Sequence, residues 1–109
     1  MMPAEPLHLS ELASYQEGSV VSRTLLDRST GTVTLFAFGE GQGLSEHASP
    51  FDALVQVLEG EAVITISGNP NQLKQGDAIL MPAGRTHAVK AKTNFKMLLT
   101  MIRSKERPD

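Results

Sequence analysis

From Gly18 onward the chain reads as a succession of short β-forming runs cut apart by glycine, proline and asparagine. These runs are Val20–Leu26, Thr32–Phe38, Ala53–Leu58, Glu61–Ser67, Gln72–Lys74, Ala78–Met81, His87–Lys90 and Phe95–Thr100. Between them lie Asp27–Gly31, Gly39–Gly43, Glu59-Gly60, Gly68–Asn71, Gly76-Asp77 and Pro82–Gly84. Alternation and β-branching mark the strands, and the turn residues mark their ends. No run of about 10–15 residues at helical period separates them, which argues against a parallel sheet with crossover helices. The expectation is an all-β fold, a small antiparallel jelly-roll-like barrel whose closure protects the strand edges. Ahead of the strands, Leu7–Tyr15 suggests a short helical turn with Ser10 as its cap.

A length of 109 residues is one domain. We divide it into an N-terminal segment, 1–17, loose or dimer-associated, a barrel over 18–102, and a polar tail over 103–109. A net charge of −2 offers no concentrated positive field for nucleic acid. The basic run Arg103, Lys105 and Arg107 reads as a solvated tail. The absence of cysteine excludes disulfides, thiolate nucleophiles and zinc–sulfur sites, and fits a cytoplasmic address. Met1–Pro6 has neither the basic nor the apolar part of a secretory signal, and no run approaches the roughly 18 apolar residues of a membrane span. Gly39–Gly43 lacks the Lys-Ser/Thr ending and helix of a phosphate loop, and Ser45, Ser49 and Ser67 belong to no nucleophile motif. The partners expected are a small molecule and a second copy in a homodimer, with neither nucleic acid nor membrane.

Gly41 stands six residues before His47, and Gly60 follows; Gly76-Asp77, Pro82-Ala83-Gly84 and His87 form a second set. In this register the chain resembles the cupin superfamily, specifically a small single-domain cupin of the cupin 2 type, over Thr32–Thr100. The resemblance implies a double-stranded β-helix with a small-molecule site in the barrel. It also implies metal-ligand positions at His47, Ser49, Ala53 and His87, and a final asparagine position at Ala91. Ala53 has no donor and Ser49 is a poor one, so His47 and His87 remain as the metal candidates.

Three readings of the histidine pair stay open. It could be a partial site for Fe, Mn, Ni or Zn, completed by water or ligand. It could be a metal-free pair that binds or protonates a ligand. It could also be a relic that lines the barrel, with no cofactor. Ser49, Gln56, Phe36, Phe38, Met81, Phe95 and Met97 are the pocket candidates, although for each aromatic and methionine core packing is the plainer account. The alternation of Ala53, Val55 and Val57 puts Gln56 on the opposite face. Glu46 and Asp52 could contribute from loops, and Arg85 could reach a ligand carboxylate. Asp77 reads as a carboxylate accepting turn N–H groups. The family's menu of isomerases and dioxygenases is one functional expectation. A non-catalytic sensing or structural module with a degenerate site is the other, and fold alone does not choose between them.

Overall fold

The computed structural model describes residues 4–103, so most of the expected polar tail lies outside the described residues. Nine strands follow a 3₁₀ turn at Leu9–Glu11: β1 Val20–Arg28, β2 Gly31–Phe38, β3 Gly43–His47, β4 Phe51–Glu59, β5 Glu61–Ile66, β6 Asn69–Lys74, β7 Ala78–Met81, β8 His87–Ala91 and β9 Phe95–Arg103. They form two antiparallel sheets, one ordered β1-β2-β9-β4-β7 and the other β3-β8-β5-β6. This is the expected all-β jelly-roll-like barrel.

Two details follow from local chemistry. Gly60 joins β4 in one sheet to β5 in the other with φ +82°, and a Cβ there would stand 2.0 Å from the Asn94 carbonyl oxygen. No side chain fits that crossing. The β5–β6 hairpin turns on Ser67 and Gly68, both at positive φ, the two-residue turn that suits the twist of paired strands. Pairing resumes at once, so Asn69, Pro70 and Asn71 belong to β6 rather than to the turn; β6 is an edge strand, where proline is admitted. Strand β3, Gly-Leu-Ser-Glu-His, has almost no β-forming signal of its own; its pairing with β8 holds it.

The two inner faces share one core. Phe38, Phe95, Met97, Val55, Val57, Ile64, Val89, Met81 and Ala53 are buried in a single cluster, with Phe36 packed against it. The outer face of β2 is apolar too, and the chain covers it itself. Leu35 and Ala37 are buried under Leu12, Ala13 and Tyr15. Leu12, Ala13 and Tyr15 of the N-terminal segment therefore lie as a strap on its own barrel. Polar contacts pin it. The Tyr15 hydroxyl donates to Glu59 Oε1 at 2.6 Å. The buried Lys96 ammonium lies 3.8 Å from the same oxygen, donates to the Ser10 carbonyl, and sits 4.8 Å from the centre of the Tyr15 ring. Burial, then the Glu59 hydrogen bond and charge, hold the Tyr15 phenol well above its usual pKa. Ser10 thus serves as a carbonyl acceptor and does not cap the 3₁₀ turn, whose first flanking residue is His8.

Candidate functional site

His47 ends β3 and His87 begins β8, and the two residues are direct register partners. Their Nε2 atoms stand 3.1 Å apart, with ring centres 4.4 Å apart and planes at 72°. His87 is 7% exposed, whereas His47 is open to solvent. The same row of the sheet continues to Ile66 on β5. The loop from His47 to Phe51 and the turn from Met81 to His87 lie at this end, so Ala53 and Met81, themselves register partners, belong to it as well.

The hydrogen bonds of the pair restrict its protonation. His47 Nδ1 lies 2.7 Å from the Ser45 carbonyl, which can only accept, so Nδ1 carries the proton and Nε2 of neutral His47 presents a lone pair. Two arrangements of neutral His87 are then available. With its proton on Nε2, His87 donates to His47, and its Nδ1 is left as a buried polar atom with no hydrogen-bond partner. With its proton on Nδ1, towards the backbone of Arg85, two lone pairs meet across 3.1 Å. The first arrangement leaves a buried group unsatisfied, at a cost of about 1–3 kcal/mol. The second calls for a cation between the two rings. Burial first, and then the neighbouring His47, lower the pKa of His87 below the usual imidazole value, against an opposing pull from the Arg85 backbone. Neutral imidazole at neutral pH is the state a metal or a hydrogen-bonding ligand requires.

The donor set fits a divalent ion in part. The two Nε2 atoms, 3.1 Å apart, would both be offered to one divalent ion, and a backbone carbonyl fixing the tautomer of His47 is the usual outer support of a metal-ligating histidine. The other two implied positions do not contribute. Ala53 is buried and has no donor. The Ser49 hydroxyl accepts from the Phe51 amide at 3.0 Å and braces the loop. Among the described residues no group of three or more His, Cys, Asp or Glu side chains converges as a metal cluster. His47 and His87 would hold such an ion, with water or ligand in the remaining positions.

Several expected site residues lie elsewhere. Gln56 is exposed on the outer face of β4, opposite the core row of Ala53, Val55 and Val57; strand alternation dictates this, and its place among the pocket candidates is corrected. Phe38, Phe95, Met97 and Met81 pack against one another as core, and Phe36 stacks on Phe38 with ring centres 5.8 Å apart. The first four are buried in the core, and Phe36 is partly buried against it. Asp52 accepts the Ala83 N–H at 2.8 Å through Oδ1, so it ties β4 to the turn before His87 instead of facing the histidines. Arg85 donates from Nε to the Ser67 hydroxyl at 2.8 Å. Asp77 Oδ2 accepts the Lys74 N–H at 2.9 Å, the turn role expected of it. Sequence reasoning missed the Ser45 carbonyl, because a backbone acceptor leaves no trace in residue type.

A family of proteins described as "Cupin domain" matches residues 34–103, and the chain belongs to it. Among solved structures, it is similar to a conserved protein of unknown function from Streptococcus pyogenes, at 35% identity over 97% of this chain and 93% of that one, with a TM-score of 0.90. A cupin superfamily protein from Desulfitobacterium hafniense is 33% identical over 95% of both chains, with a TM-score of 0.89. A cupin 2 conserved barrel domain protein from Leptotrichia buccalis is 40% identical over 89% of this chain and 47% of its own, with a TM-score of 0.86. No curated protein matches the chain. Among the described residues, no helix is long and apolar enough to cross a membrane.

Proposed function

We propose that this cupin binds a small polar organic molecule at the His47–His87 end of the barrel, directly or through an exchangeable divalent metal. The observation that carries the reading is the approach of the two Nε2 atoms to 3.1 Å while His87 Nδ1 is buried without a partner. A cation or ligand donor between the rings would engage the two Nε2 lone pairs that face each other when His87 carries its proton on Nδ1. Two protein nitrogens hold Fe, Mn, Ni or Zn less tightly than four ligands do, so the ion is exchangeable and the fold does not depend on it. The imidazoles are the acid and base groups available for an isomerase or dioxygenase. A non-catalytic sensing or structural module is the second reading, favoured by the absence of a donor at Ala53 and the bracing role of the Ser49 hydroxyl.

The test is a titration of metal-free wild type and of the His47→Ala/His87→Ala double variant with Mn, Fe(II), Ni and Zn, with circular dichroism as the fold control. Stoichiometric binding is expected only for wild type. Equal binding by the double variant removes the histidines from the site, and its unfolding makes them structural.

A homodimer is the proposed assembly. Leu26, Leu80 and Ile102 stay exposed on the outer face of the five-stranded sheet, where the register Leu26–Val33–Thr100–Leu54–Leu80 forms one row. Sedimentation equilibrium at micromolar concentration is expected to give twice the 11.8 kDa chain mass. A constant monomer mass overturns this assembly.

A further inference from the structure

The turn at 82–86 leads directly into His87 at the start of β8. That turn is tied on two sides. Towards β5 and β6, Thr86 accepts the Ser67 N–H through its carbonyl at 2.8 Å, and Arg85 reaches the Ser67 hydroxyl. Towards the loop that follows His47, Gly84 N–H donates to the Ser49 carbonyl at 2.9 Å, and Ala83 N–H donates to Asp52 Oδ1 at 2.8 Å. The segments flanking the two histidines are thus joined to each other by two adjacent hydrogen bonds. One is backbone to backbone; the other is made by the Asp52 carboxylate, which sits on the solvent side of β4 and touches neither ring.

We infer that Asp52 is a positioning residue for the histidine pair, holding the 82–86 turn against the start of β4 and so, with the β3–β8 register, helping to set where His87 Nε2 stands relative to His47 Nε2. The inference rests on the pair being the binding centre. An exposed carboxylate bonded to one amide adds little to the core, yet a charge-assisted hydrogen bond is strong enough to restrict a short turn. Groups hydrogen-bonded directly to a ligating side chain commonly change metal affinity by about 10–100-fold when lost, and Asp52, bonded to the backbone ahead of His87, acts with a smaller factor. The residue type sharpens the test, because an asparagine carbonyl oxygen accepts the same N–H and an alanine accepts nothing.

The experiment compares wild type, Asp52→Ala and Asp52→Asn, using Zn(II) alone as the calorimetric probe and the side-chain ¹⁵N resonances of His47 and His87 in metal-free protein as the second readout. Asp52→Ala is expected to keep its fold and unfolding midpoint, to bind zinc several-fold more weakly, and to shift or broaden the His87 resonances. Asp52→Asn is expected to restore both readouts to near wild type. A folded Asp52→Ala protein with wild-type affinity and unmoved resonances overturns the inference, and so does failure of Asp52→Ala to fold. If wild type and the His47→Ala/His87→Ala variant bind zinc equally, the binding-centre reading falls, while the resonances still decide the role of Asp52.

Discussion

The two ends of this barrel are made from the same strands and obey different rules. At the Gly60 end, Phe38 and Phe95 are fully buried with ring centres 5.1 Å apart, and the chain crosses between sheets through a glycine that admits no side chain. At the other end, the row Ile66–His87–His47 sets two imidazoles edge to face and leaves one buried nitrogen without a partner. The interior of the first end is filled by fully buried aromatic side chains. The second tolerates an unsatisfied polar group, a departure from local rules that natural proteins concentrate at functional positions. On the proposed reading, stability and binding divide along the barrel axis.

Four changes test that division. Phe95→Ala acts on the packed end and is expected to cost about 3–5 kcal/mol, because lost transfer energy and a residual cavity add. Urea unfolding measures it, and a loss below about 1 kcal/mol shows that the Gly60 end is no better packed than the histidine end. His87→Leu reverses the sign at the other end. Replacing a buried polar ring, one of whose nitrogens lacks a partner, by an apolar side chain of comparable volume is expected to raise the stability of the metal-free protein by about 1 kcal/mol and to remove metal binding. A loss of stability instead shows that the pair is a satisfied structural element.

The pH dependence is subtler. The folded-state pKa of His87 lies below the unfolded imidazole value of about 6.5, so the unfolded chain binds more protons as the pH falls. The contribution of His87 to stability is flat above about pH 6.5, declines from there down to its folded pKa, and is constant below it. Denaturation curves at stepped pH on wild type and His87→Leu isolate this contribution as the difference between them. The same slope in both proteins assigns the acid sensitivity to other groups. The smallest effect is expected at Gln56→Ala, on the outer face of β4. It is expected to stay within about 0.5 kcal/mol and to leave binding unchanged, and any loss of affinity puts that outer face back into the site.

The barrel class was legible because its signals are local. β-Branched alternation, glycine turns and the Gly60, Pro82 and Gly84 framework each act over a few residues. The partnership of His47 and His87 was legible only through the family pattern, since nothing local relates residues 40 positions apart. Strand β3 escaped notice because Gly43–His47 carries no propensity of its own. Gln56 was placed outward by alternation, and the structure agrees with alternation over its inclusion in the pocket. The strap could not be read as an intrachain cover, because an apolar outer face on β2 serves a second copy as well as it serves Leu12, Ala13 and Tyr15.

Taken alone, the sequence determined which segments extend, where they turn and which strand faces are apolar. Backbone torsion and side-chain alternation are properties of neighbouring residues, so residue type suffices to specify them. Only the tertiary structure decided that the rings approach to 3.1 Å, that the Ser45 carbonyl selects the tautomer of His47, and that Asp52 ties down the turn ahead of His87. Those are tenth-of-an-ångström outcomes of strand register, turn placement and burial. They arise from many distant contacts acting together, and no single stretch of the chain encodes them.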